Sequence, residues 1–283
     1  MSKTPSVEKK DKEAIRRVSH PAIGEIYCLN EPEARATLHE VWEDKLYFQE
    51  GVSISPGDIV FDVGANIGVF TLCAAKQGAH IYAYEPIPPT FEVLQNNIHL
   101  HGFESTAHAR NIGLSDWAEE KFMLHYPALS VCDSWAAQDD WFKLLTENWE
   151  NTLEILKVAD PDEYKTICSL ESKSLQQGAV REVIERISAS PVEIKCKFDT
   201  LSGVIGQENI QSISLLKLDA ELADWQILKG VKVEDWERIR QVAMEIHVQS
   251  DLGPICKFLG ERGFRHVTGK QLKMGTSCVW ARK

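Results

Sequence analysis

Four groups of residues in this chain are of types and spacings that can do chemistry. The first is Asp62-Val-Gly-Ala-Asn-Ile-Gly68, where Gly64 and Gly68 permit backbone torsions and close approaches that a side chain would block. Such a turn can lie flat against a ligand. It departs from the Gly-x-Gly-x-x-Gly fingerprint of dinucleotide sites, and no Gly-Lys-Ser/Thr is present to cradle phosphates, which favours a nucleoside cofactor without a pyrophosphate. The second is Glu85 at the end of the next apolar run, where a carboxylate can accept both hydroxyls of a ribose. NAD sites use an acid about 20 residues on, so Glu85 does not choose among adenosyl cofactors, and a helix-capping or solvated glutamate is its ordinary alternative.

The third group is Asp219 and Glu221, and the fourth is Glu245 and His247. Side chains two apart on a strand project to one face, so Glu245 can orient the imidazole of His247. Histidine has an unperturbed pKa of about 6.5, which suits a general base at neutral pH. A satisfied polar pair at a strand end is the competing reading. Lys217 reaches the same region, and an ion pair with Asp219 or Glu221 accounts for it equally well.

These residues need strands and turns to bring them together. Ile59 to Val63 is apolar except for Asp62, as in a buried parallel strand, and Val69 to Lys76 is helix-like. His80 to Tyr84 is a second strand. Pro86, Pro88 and Pro89 then act as breakers before an amphipathic run from Thr90 to Leu100. A third strand falls within Ser105 to Arg110, with Asn111 to Asp116 as its C-terminal loop. Alternation resumes with strands at Ile213 to Asp219 and Gln241 to His247, helices at Leu222 to Gly230 and Leu252 to Arg262, and two short antiparallel strands at Phe264 to Val267 and Ser277 to Trp280. Strand and helix in succession predict an α/β fold with a mostly parallel sheet, in which ligands bind beyond the C-terminal strand edge. All four groups fall on that edge.

Two regions lie outside the alternation. Residues 1–50 read as an N-terminal arm followed by a cap whose helix covers Glu33 to Gln49, with Met1 to Ser19 as a frayed arm or solvated helix. Residues 51–283 form the main domain, interrupted at about 127–192 by a charged, helical stretch that holds Trp135, Trp141, Phe142 and Trp149. The stretch reads as a lid over the sheet face, its aromatics either lining an acceptor pocket or docking the lid. Val192 to Phe198 returns as a strand.

Composition sets the partners. The chain has 283 residues, 43% of them hydrophobic, enough for a sizeable core. Its formal charge of −11 argues against nucleic acid, because phosphate binding needs a positive surface. No apolar run approaches the ~20 residues that span a bilayer, so no membrane is expected and a soluble, cytoplasmic protein is. Seven scattered cysteines without Cys-x-x-Cys read as reduced thiols, and nine histidines without a His-Glu-x-x-His motif give no expectation of a metal.

In order along the chain, Asp62-Val-Gly-Ala-Asn-Ile-Gly68, Tyr84-Glu-Pro86, Leu216-Lys-Leu-Asp-Ala-Glu221 with Leu228-Lys-Gly230, and Met244-Glu-Ile-His247 resemble the FkbM-type family of S-adenosylmethionine (SAM) dependent methyltransferases. The likeness runs from about Glu40 to Trp280, excepting the insertion, and is greatest to O-methyltransferases that accompany polyketide and peptide synthases. It implies a Rossmann-like class I methyltransferase sheet with an antiparallel C-terminal strand and a helical lid insertion. It also implies SAM as cofactor and S-adenosylhomocysteine (SAH) as product. Gly64, Ala65, Asn66 and Gly68 would line the methionine end, and Glu85 would hold the ribose. Ile87 with Asn111, Gly113, Leu114 and Ser115 would frame the adenine. Asp62 would order the turn or meet the cofactor's amino group, and Asp219 would contact cofactor or acceptor. His247 would be the base, with Glu245 or Glu221 as its orienting carboxylate.

The acceptor implied is a hydroxyl on a small or acyl-carrier-protein-bound intermediate; a sugar hydroxyl, or a non-catalytic SAM-binding synthase module, are the runners-up. Carrier proteins are acidic, so Lys9, Lys10, Arg16 and Arg17 are the candidate docking residues. One departure stands out, since family members often carry Glu-Gly where this chain has Glu221-Leu222.

Overall fold

The computed structural model describes residues 15–127, 130, 133, 143, 145–272 and 276–283. Lys9, Lys10, Trp135, Trp141 and Phe142 lie outside the described residues. The chain opens with a hairpin, β1 (Arg16–His20) and β2 (Gly24–Cys28), where a solvated helix or frayed arm was the expectation. Helix α1 (Glu31–Leu38) comes next, capped by Asn30, whose side chain accepts the Glu33 N–H at 3.0 Å. The expected long helix over Glu33 to Gln49 is cut short, because His39–Glu43 winds as a π-turn in which Asp44 N–H reaches back to the His39 carbonyl at 3.0 Å.

Beyond the cap lie β3 (Ile59–Val63), α2 (Val69–Lys76), β4 (His80–Tyr84), α3 (Pro88–Leu100) and β5 (Ala107–Arg110). Pro88 and Pro89 do not break the chain ahead of the helix but begin it, since the first turn of a helix leaves its N–H groups unpaired and proline lacks one. Strand β6 (Gly113–Ser115) falls within the stretch expected to be loop, and β7 (Glu119–His125) follows it. Among the described residues the insertion holds three helices, α4 (Trp149–Ala159), α5 (Pro161–Cys168) and α6 (Lys173–Ile187). They share a small apolar cluster of Leu153, Ile167, Val180, Val183 and Ile184.

The chain then runs through β8 (Val192–Thr200), α7 (Leu201–Gln207), β9 (Leu215–Leu218), α8 (Asp224–Lys229), β10 (Gln241–Ile246), α9 (Leu252–Glu261), β11 (His266–Gln271) and β12 (Ser277–Arg282). The main sheet has the order β11-β12-β10-β9-β3-β4-β5. Its strands from β10 to β5 run parallel, and β12 runs antiparallel to both β10 and β11. Strand β8 returns as expected but joins β6 and β7 in a separate three-stranded sheet.

The central strands are buried on both faces, which is why β3 and β9 read as nearly continuous apolar runs. One core cluster packs α2, α3 and the N-terminal cap, including Val60, Leu72 and Leu94. The second, including Phe61, Leu216, Met244 and Trp236, packs α7, α8 and α9 on the opposite face. Among the described residues no helix is long and apolar enough to cross a membrane. Of the described cysteines Cys28, Cys73, Cys196 and Cys278 are buried thiols, whereas Cys168 is exposed.

Candidate active site

The glycine turn sits where β3 ends, and its geometry comes first from the sheet. Gly64 and Ala65 N–H both donate to the Tyr84 carbonyl, at 3.1 and 3.0 Å, tying the turn to the end of β4. Gly64 has φ +73°, and a Cβ there would lie 1.8 Å from the Asp219 carbonyl oxygen. The glycine is therefore required by the neighbouring strand end, β9, before any ligand is considered. At Gly68, φ +91°, a Cβ would meet Leu94 of α3 at 2.6 Å.

Beneath the turn lies a buried ion pair. Asp62 is 0% exposed; it accepts the Thr71 hydroxyl at 2.6 Å and faces Lys217 Nζ at 3.1 Å. Lys217 also donates to the Gly64 carbonyl at 2.7 Å and approaches Asp219 at 3.7 Å. Asp62 therefore sits under the turn, bonded to Thr71 and Lys217, and is not among the residues that line the cavity. The ion pair expected for Lys217 is made to Asp62 first.

Glu85 ends β4 and is 6% exposed. Its two oxygens accept the backbone N–H groups of Asn66 and Ile87, each at 2.9 Å, so the acid clamps the glycine turn to the start of α3. Burial outweighs these bonds and pushes its pKa up to about 8. Asp133 nearby, bonded to His125 at 2.6 Å and to the Tyr126 N–H, is likewise pushed by burial to about 7. A carboxylate pKa raised on folding gives stability that is complete below its unfolded value and is lost as pH rises toward the folded one. The protein should therefore lose stability between about pH 4.5 and 8, and Glu85→Gln should flatten that slope in urea titrations at stepped pH. An unchanged slope would show that Glu85 is ionised throughout.

Asn111 and Ser115 act behind the cavity wall. Asn111 Nδ2 donates to the carbonyls of Glu85 and Pro86, at 2.9 and 3.0 Å, and Ser115 is fully buried. Ile87, Gly113 and Leu114 line the cavity itself.

At the other end of that cavity, β9 and β10 deliver an acid–base cluster. His247 is 3% exposed, with Nε2 3.1 Å from Glu221, 3.8 Å from Asp219 and Nδ1 3.9 Å from Asp224. Burial alone would depress the imidazole pKa, yet Glu221, Asp224 and Glu245 together hold it well above the usual value. Burial and mutual repulsion raise Glu221, Asp224 and Glu245 in turn. The carboxylates that face the imidazole are thus Glu221 and Asp224, with Glu245 on β10. Asp219 Oδ1 and Glu221 Oε2 are sealed from solvent and face the imidazole as ion pairs without accepting a hydrogen bond.

Sequence reasoning missed three members. Asp224 opens α8 as its first residue, and an acid in that first turn reads as a helix-dipole contact. Tyr47 donates its hydroxyl to Asp219 at 2.8 Å from across the N-terminal cap, a contact with no local signal. Glu40 lies in the π-turn and lines the same cavity. Donor atoms of Asp219, Glu245 and His247 lie within 4.8 Å of one another, near enough to share a cation. His247 Nε2 also faces Glu221 as an ion pair at 3.1 Å.

The cavity that joins the glycine turn to this cluster has a volume of about 330 Å³. Part of its wall comes from outside the main sheet and is mostly apolar in area, with Ala36 of α1, Ile155 and Leu156 of α4 and Ile187 of α6 alongside the charged Asp160, Glu163 and Arg186.

The departure at Leu222 has a structural signature. Glu221 and Leu222 both adopt left-handed torsions, φ +45° and +69°, where a Cβ costs about 1–2 kcal/mol. Leu222→Gly should be neutral to stabilising within about 1 kcal/mol, whereas the β-branched Leu222→Val should destabilise by about 1–2 kcal/mol, read by thermal and urea unfolding. Equal destabilisation by both would mean that Leu222 packing outweighs its backbone strain.

The strand order, the antiparallel strand and the helices define an α/β fold of the class I methyltransferase type. Residues 62–266 match the methyltransferase FkbM domain, and the chain belongs to the FkbM methyltransferase family. It is 31% identical over 243 residues to the 31-O-demethyl-FK506 methyltransferase FkbM of Streptomyces tacrolimicus, covering 83% of this chain and 84% of that one. It is 27% identical over 253 residues to methyltransferase sdnD of Sordaria araneosa, covering 84% and 85%. To the AMB antimetabolite synthetase AmbE of Pseudomonas aeruginosa it is 26% identical over 244 residues, where it spans only 11% of that protein. Among solved structures, an FkbM methyltransferase from Methylobacillus flagellatus superposes with a TM-score of 0.49 at 14% identity, over 88% of this chain and 50% of that one.

Proposed function

We propose that this protein is a SAM-dependent O-methyltransferase acting on a hydroxyl of a natural-product intermediate. The observation that carries the reading is the single cavity with the glycine turn and Glu85 at one end and the His247 cluster at the other. The residues fit the cofactor: a turn fixed by Gly64 and Gly68, a strand-end acid at Glu85, and buried acid oxygens on Asp219 and Glu221 that accept no hydrogen bond from the protein. Gly64 to Asn66 would hold the methionine end, Glu85 the ribose, and Ile87, Gly113 and Leu114 the adenine. When bound, SAM supplies an activated methyl on a sulfonium.

The chain's own work is alignment and proton handling. Holding an acceptor in line is worth several kcal/mol, and a positioned acid–base group adds roughly 10²–10⁴-fold. The hydroxyl proton is taken into the cluster centred on His247. A protonated imidazole compensates the surrounding carboxylates and stabilises the oxygen as its charge develops.

The mostly apolar wall favours an acceptor with an apolar body over a free sugar. The likeness to an antimetabolite synthetase supports a synthetase-type context for the acceptor. SAM and SAH should both bind in calorimetry, and labelled SAM should pass its methyl to hydroxyl acceptors, free or carrier-bound. Binding of neither ligand would overturn the reading.

A further inference from the structure

The proposed reaction needs a group that receives the hydroxyl proton, and most carboxylates around His247 already face the imidazole or another partner. Glu221 faces the imidazole at 3.1 Å, Asp224 sits behind its other nitrogen, and Asp219 is held by Tyr47 at 2.8 Å. The same neighbours favour the charged form of His247, the form that has no lone pair left to accept a proton.

Glu40 differs from every other acid of the group. It comes from the N-terminal cap and not from a strand edge, on a π-turn whose Glu40 carbonyl accepts the Leu46 N–H at 3.0 Å. A π-turn inserts a residue into the helical spacing and re-aims the side chains beyond it, and such turns concentrate at functional sites. The half-buried side chain lines the cavity together with Thr37, Tyr47, Asp219, Glu245 and His247. Among the described residues its carboxylate makes no hydrogen bond or ion pair, which leaves both oxygens available to a ligand.

We propose that Glu40 is a catalytic residue that contacts the acceptor hydroxyl and accepts its proton as the methyl is transferred. This rests on the SAM reading above. As the hydroxyl oxygen bonds to the methyl carbon, the carbon–sulfur pair stays on sulfur and the O–H proton passes to a Glu40 carboxylate oxygen. The products are the methyl ether, SAH and a neutral Glu40 carboxyl, so charge balances. The groups facing Glu40 explain why the proton stays. Burial, then Glu245 from β10, Asp219 from the end of β9 and Asp44 of its own turn favour the protonated form, opposed by His247. A sulfonium in the cavity favours the ionised form, and its conversion to a neutral thioether removes that support.

The proton state of Glu40 should therefore track the ligand. In the full chain, calorimetry of SAM and SAH binding in two buffers of different ionisation enthalpy reads the protons released. Wild type should release up to about one proton per SAM near neutral pH and none with SAH. Glu40→Gln and Glu40→Ala should both keep SAH binding and lose that release, whereas Glu43→Gln, exposed on the same turn, should keep it. Gln is isosteric and removes a repelled charge, so its thermal midpoint should not fall. SAM-linked release that is absent in wild type, or unchanged in both Glu40 variants, overturns the assignment and leaves the cofactor reading standing. Failure of wild type to bind either ligand overturns that reading instead.

Discussion

Lys217→Met should cost roughly 3–5 kcal/mol of unfolding free energy, because it removes the partner of a buried charge and not merely a salt bridge. Asp62 is fully enclosed, and Lys217, itself 3% exposed, is the cation at 3.1 Å that makes its ionised form tolerable there. Burial raises the Asp62 pKa, and Lys217 with Thr71 opposes the rise. Without the ammonium, the carboxyl must either take up a proton or remain uncompensated in low dielectric. Methionine fills the volume between Tyr47 and Phe70, whose rings lie 5.3 and 5.9 Å from Nζ, so the loss should be electrostatic. The double variant Asp62→Asn with Lys217→Met should recover much of the stability, with a coupling energy of about 1–3 kcal/mol in a urea-unfolding cycle. Additive single effects would show that the two groups do not act as a pair. SAM affinity should fall in Lys217→Met as well, since Nζ also holds the Gly64 carbonyl at the turn.

His247→Gln should lower methyl transfer by about 10²–10³-fold, through loss of the charge that stabilises the developing oxyanion, while SAH still binds. Glutamine approximates the shape of the imidazole but carries no charge to set against Glu221, Asp224 and Glu245. The same substitution should change stability in a defined direction. The folded-state pKa of His247 is raised, so its stabilisation is complete below an unfolded value near 6.5 and is lost as pH rises through the folded one. Wild type should therefore lose more stability on the alkaline side than His247→Gln does. Turnover retained within about threefold on a verified acceptor would remove His247 from the chemistry. An alkaline limb of equal steepness in both proteins would show that the imidazole is neutral when folded.

The site came out of the sequence unevenly, and the reason is local versus non-local encoding. Gly64, Glu85, Asp219 and His247 were legible because each stands at or just past the end of a short apolar strand, with Glu245 one residue inside the end of β10, and parallel strands put their C-terminal ends on one edge. Pairing register then does the rest: Leu218 lies beside Met244, so the residues after them, Asp219 and Glu245, are neighbours. Glu40 and Tyr47 were hidden because the cap has no strand periodicity and reaches the site only by packing across the sheet edge. The π-turn was equally invisible, since Leu38, Val41 and Leu46 fit an ordinary helix face as well. Strand β6 was read as loop because three residues, Gly113 to Ser115, carry no pattern until β8 pairs with them.

By itself, the sequence determined which residues stand at the sheet edge and which family the chain resembles, because apolar period and turn chemistry are written in neighbouring positions. It also determined where the glycines fall. Only the tertiary structure decided what they are for, since Gly64 is required by an Asp219 carbonyl 155 positions further along the chain in numbering, 219 − 64, and the contact exists only once β3 and β9 pair. The protonation of His247 was decided in the same way. A histidine titrates by the charges that folding gathers around it, and Glu221, Asp224 and Glu245 become its neighbours through the ends of two strands and the start of a helix.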